Sequence, residues 1–118
     1  MRKLKTMDVF AAARIVKAAG IKEEVKRIAL EYSDKKEITE SYQKQVGAEL
    51  VISIIDGLSE KRAESMMYEF LAGPFEMTPE EIGNLEIQEL FDKIAELGKL
   101  ESPEGWASFF KSLGAMIK

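Results

Sequence analysis

Two side-chain types are missing altogether from this 118-residue chain: cysteine and histidine. Without cysteine there is no disulfide, no thiolate nucleophile, no thiolate zinc site and no cysteine-held iron–sulfur cluster. Without histidine there is no Ser–His catalysis, no imidazole metal ligand and no side chain that titrates unperturbed near neutral pH. Carboxylates, lysine and tyrosine remain as reactive groups, but the commonest catalytic routes are closed. No apolar run approaches the ~20 residues of a membrane span, and the stretch Val51–Ile55 is interrupted by Ser53. Met1–Thr6 is basic, yet no apolar segment with a small-residue cleavage site follows it, so no secretory signal is expected. G-x-G-x-x-G, Walker A and EF-hand patterns are absent as well. These gaps predict a cytoplasmic protein that works by contact, with no enzymatic activity, cofactor or metal.

What is present suits one soluble domain spanning 1–118. Hydrophobic residues make up 46% and charged residues 32%, which argues against wholesale disorder. A chain of this length buries roughly 65% of its unfolded surface, enough for a core without staples. Charge is segregated. Residues 1–36 hold ten Lys/Arg against five Asp/Glu, a net of +5, whereas residues 37–118 hold seven against sixteen, a net of −9. Such a dipolar chain favours head-to-tail self-association, or a partner with its own charge pattern.

The apolar period is helical nearly throughout. Thr6 is expected to cap a first helix, with Asp8 in its first turn, that runs to Ala19 and stops at Gly20. A second starts at Ile21 and carries Val25, Ile28, Ala29 and Tyr32 on one face; polar Ser33–Glu37 reads as a loop. A third, from about Thr39 to Leu58, repeats Tyr42, Val46, Leu50, Ile54 and Leu58, flanked by Val51 and Ile55. Ile52 widens its apolar arc, which predicts a central place in the core. A fourth covers about Glu60–Ala72, with Gly73-Pro74 expected to end it. Thr78-Pro79-Glu80-Glu81 is a capping box opening a short helix. Asn84 is expected to cap another, with Ile87, Leu90, Phe91, Ile94 and Leu97 inward and Gly98 at its end. Ser102-Pro103-Glu104 opens a terminal helix. The prediction is an all-α fold, a compact bundle of six or seven amphipathic helices.

Several segments, in this order, carry a resemblance to a known family. They are Lys3-Leu4-Lys5-Thr6-Met7-Asp8-Val9-Phe10, Ala13-Arg14-Ile15-Val16-Lys17, Gly20-Ile21-Lys22-Glu23-Glu24, Ile54-Ile55-Asp56-Gly57-Leu58, Tyr68-Glu69-Phe70-Leu71-Ala72, Met77-Thr78-Pro79-Glu80-Glu81-Ile82 and the aromatic close Trp106-Ala107-Ser108-Phe109-Phe110-Lys111-Ser112-Leu113. Across nearly its whole length the chain resembles the tail assembly chaperones of long-tailed bacteriophages, especially those of Gram-positive hosts. The resemblance implies a protein that coats the helical tape-measure protein and keeps it soluble. It would be displaced as tube subunits polymerise, and would be absent from the mature virion. It further implies the short form of a pair whose longer, frameshifted form adds a tail-tube-binding region. No catalytic residue comes with the family.

A chaperone of helical clients needs an adaptable apolar surface ringed by charge. Met66, Met67, Met77 and Met116 are suited to that, since methionine repacks around different partners. Phe109 and Phe110 are adjacent and about 100° apart on a helix, which predicts that one of them faces a partner. The expected partner-binding set is Met66, Met67, Phe70, Trp106, Phe109, Phe110 and Met116.

Other readings have weaker footing. Ser33-Asp34-Lys35-Lys36 and Ser108-Phe109-Phe110-Lys111 match S-x-x-K, but the S-D-N and K-T-G companions are absent. Glu86, Glu89, Asp92 and Glu96 form an acidic stripe, yet carboxylate metal sites in bundles pair glutamate with histidine. The alternatives are a nucleic-acid-binding protein using the basic N-terminal helix pair, or a generic oligomeric scaffold. Against the first stand Glu23, Glu24 and Glu31 on the second helix. Lys26 also lies six residues after Gly20, where a helix-turn-helix buries an aliphatic side chain.

Overall fold

The computed structural model of the chain describes residues 1–34 and 39–117. Its first helix, α1 (Thr6–Ala19), starts where Asp8 reaches back to accept the Lys5 N–H at 2.7 Å. Thr6 is therefore the first helical residue and not the cap, because an ionised carboxylate is the stronger acceptor for that amide. Gly20 closes α1 in the left-handed region at φ 70°, returning its N–H to the Val16 carbonyl. Ile21 donates to the same carbonyl and is buried, so the chain turns tightly into α2 (Lys22–Asp34).

Residues Ser33 and Asp34, expected in a loop, still belong to α2; Lys35–Glu37 lie outside the described residues. Polarity alone does not end a helix without a glycine or proline to break it. Thr39 caps α3 (Glu40–Gly57) by accepting the Tyr42 N–H at 3.0 Å, and Ser59 caps α4 (Glu60–Phe75) through the Arg62 N–H at 3.2 Å. Gly73-Pro74 does not terminate α4. The proline lies in the last turn, where its missing N–H costs one bond and its fixed φ is already helical. The end comes at Glu76, left-handed at φ 57°, with Glu76 N–H donating to Gly73 and Met77 N–H to Ala72. That is a Schellman closure with glutamate in the position usually held by glycine.

The capping box at Thr78 and Glu81 forms as read, with bonds of 2.9 and 3.1 Å, and opens α5 (Pro79–Gly83). Asn84 ends α5 instead of starting the next helix. The start falls to Glu86, whose N–H donates to Glu89 at 3.4 Å. α6 (Ile87–Met116) runs past Gly98 and breaks at Ser102, where φ 66° and ψ 160° split it into a first arm, 87–101, and a second arm, 103–116. A proline disfavours helical backbone in the residue before it, which places the break there. Ser102 Oγ then accepts the Gly105 N–H at 3.3 Å and restarts the helix. Counting both arms, the described residues form seven helices and no strand. The all-α prediction holds.

α2 packs along the second arm of α6 more extensively than any other pair of helices, and α1 touches α2, α3, α4 and α6. The main core joins Val9, Val16, Val25, Ile28, Phe110, Leu113 and Ile117. Full burial of each aliphatic side chain among them contributes roughly 1.5–3 kcal/mol before entropy is counted. A smaller cluster, Phe75, Ile82 and Leu97, lies between α4, α5 and the first arm of α6; Trp106 packs against both clusters. The radius of gyration, 13.4 Å, is that of a compact domain of this length, for which about 13.5 Å is expected.

α3 is not the central helix. Of its apolar residues only Val46 is buried, while Val51, Ile52 and Ile55 are exposed. The wide apolar arc arises from two faces, one packed and one open. Ile87, Phe91 and Ile94, expected to face inward, are likewise exposed. The first arm of α6 uses only Leu90 and Leu97 against the smaller cluster.

Candidate interaction surface

The aromatic residues of the C-terminal arm form the centre of the molecule. Trp106 stacks on Phe110 with centroids 6.1 Å apart and meets Phe109 edge-on at 5.9 Å. Phe110 lies 5.2 Å from Tyr32, and Phe109 lies 6.4 Å from Phe70. Phe109 is 8% exposed and Phe110 4%, so both are core residues. Phe110 meets Tyr32 of α2 and Phe109 meets Phe70 of α4, so two different helices cover the two adjacent rings. Met66, Met67, Phe70, Trp106 and Met116 are half-buried, with Phe70, Trp106 and Met116 packed on the main core. The Trp106 indole N–H also donates to the Gly98 carbonyl at 3.3 Å across the Ser102 break. Of the expected partner-binding set, Phe109 and Phe110 lie in the interior, and the other five keep part of their surface open.

The open apolar surface lies elsewhere. On α3, Val51, Ile52 (60% exposed) and Ile55 are joined by exposed Ala48 at i, i+3, i+4 and i+7. On the first arm of α6, Ile87 (74% exposed), Phe91 (59%) and Ile94 form a second stripe. On α1, Met7 and Phe10 are exposed. The sequence did carry a signal for the first: an arc too wide for one packing neighbour. It was indistinguishable there from a helix buried on all sides.

A few charged groups are committed to structure. Asp8, 3% exposed, takes the Arg2 guanidinium in a two-pronged bond at 2.7 and 3.2 Å, and this bond raises the Arg2 pKa further. Arg27 bridges Glu49 and Glu31, both at 3.0 Å, and its pKa is raised by those bonds in that order. Burial pushes the Tyr32 hydroxyl up to about 12. Tyr42 is raised by burial first and then by its bond to Glu31. Glu76 is lowered by the Met1 ammonium, 3.0 Å away, and Glu81 by its bonds to Thr78. None of these shifts moves a group toward neutral pH. Among the described residues no three acidic side chains converge where they could hold a metal ion, and no helix is long and apolar enough to cross a membrane. The arrangement offers helix faces for docking.

Compared with family models, curated proteins and solved structures, the chain matches none of them.

Proposed function

We propose that this chain is a bacteriophage tail assembly chaperone that binds the helical tape-measure protein and keeps it soluble while tube subunits assemble around it. It acts in the host cytoplasm and leaves before the virion is complete. The observation that supports this reading is the open stripe Ala48, Val51, Ile52 and Ile55 on α3. Its i, i+3, i+4, i+7 spacing matches the seam by which one helix receives another. The client contact therefore moves from the aromatic arm to α3. The sequence resemblance supports the identity of the client, and a longer form carrying a tube-binding region would link it to the tail tube protein.

Co-expression with a bacteriophage tape-measure protein tests the reading. Wild-type chain is expected to keep that protein soluble, and Ile52→Asp to lose the effect while retaining wild-type helicity. A tape-measure protein that stays insoluble with wild-type chain overturns the proposal.

A further inference from the structure

Two exposed faces of this chain complement each other in chemistry, and neither covers the other within one molecule. On α1, Met7 (63% exposed) and Phe10 (52%) continue along the same helix face into exposed Arg14 and Lys17. The only acid in the first 22 residues is Asp8, which is buried and paired with Arg2, so this face is purely apolar and basic. On the first arm of α6, Ile87, Phe91 and Ile94 make the apolar stripe. Residues 86–101 around it hold Glu86, Glu89, Asp92, Glu96 and Glu101 against two lysines.

We propose that these faces bind each other between copies of this chain, the α1 face of one molecule seated on the α6 stripe of the next. The occupant is a second copy because the chain itself supplies both partners of an apolar contact flanked by opposite charge. The contact is heterologous: each molecule keeps one face free after pairing, so assembly continues into a ring or an open array. α3 takes no part in it, and its stripe stays available on every subunit. The inference goes beyond the chaperone reading and is tested on the purified chain alone, without a client.

Sedimentation velocity on wild-type chain and two single variants decides it. Phe10→Glu places a negative charge against the acidic arm, and Phe91→Lys places a positive charge against α1. Both positions are exposed, and matched circular dichroism and melting curves verify the folds. Met7→Glu with Ile94→Lys provides a second, independent pair. Wild type is expected to form assemblies that grow with concentration. They should shrink as the Debye length falls from ~10 Å at 0.1 M salt to ~3 Å at 1 M. Each variant alone should weaken association at least tenfold, and an equimolar mixture of the two should form a one-to-one dimer that does not grow. A wild type that stays monomeric overturns the inference. So does a single variant that still associates by itself, which would show a self-complementary face, and so does a mixture that remains monomeric.

Discussion

Gly57 at the end of α3 lies directly against Ala19 at the end of α1. A Cβ placed on Gly57 would come within 2.8 Å of the Ala19 carbonyl carbon and closer still to its oxygen. Both groups are backbone of helix termini, so neither can swing aside. Gly57→Ala is expected to destabilise the fold by about 2–3 kcal/mol through overpacking. Urea melts read this directly. At Gly20, by contrast, a Cβ meets open space, and the strain of Gly20→Ala comes only from its positive φ, costing about 1 kcal/mol.

The Asp8–Arg2 pair ties the N-terminal segment to α1. The aspartate side chain is 4% exposed and the arginine 17%. Removing the acid strands a largely covered guanidinium and the Lys5 N–H. Asp8→Ala is expected to cost about 3 kcal/mol, the lower end for a broken buried pair. In a double-mutant cycle, Arg2→Met should recover part of that loss, since it removes the stranded charge.

Core and surface phenylalanines should separate cleanly. Phe109→Ala and Phe110→Ala are each expected to lose about 3–5 kcal/mol of stability. Phe91→Ala, at a 59% exposed position, should stay within about 0.5 kcal/mol of wild type. Thermal melts on the three variants give the comparison.

Ser102 holds a backbone conformation, φ 66° and ψ 160°, that glycine adopts freely and other residues only under strain. Ser102→Gly keeps the break, gives up the weak bond to the Gly105 N–H, and is expected to stabilise the chain by about 1 kcal/mol. A higher midpoint in urea with unchanged slope would register that gain.

The tyrosines set an alkaline limit. Tyr32 has its pKa raised by burial from about 10 unfolded to about 12 folded. The folded state therefore binds this proton more tightly. Its contribution is complete below about pH 10 and is lost as pH rises toward about 12. Tyrosinate absorbance should lag behind that of the denatured chain across this window. Tyr32→Phe should flatten the decline of stability with pH over the same range.

Local chemistry was legible from the residues alone. Gly20, Thr39, Ser59 and Thr78 mark helix ends because their caps are made by groups within five residues of one another, and the same holds for the break before Pro103. The apolar period likewise placed Val25, Ile28 and Tyr32 on one face, and all three are buried. Tertiary structure alone decided which apolar face was covered. Phe110 is buried because Tyr32 and Trp106 close over it, whereas Phe91 and Ile52, equally periodic, stay 59% and 60% exposed. A helical repeat specifies that two residues share a face; whether that face is interior depends on which helices pack beside it, and those contacts join residues far apart in the chain.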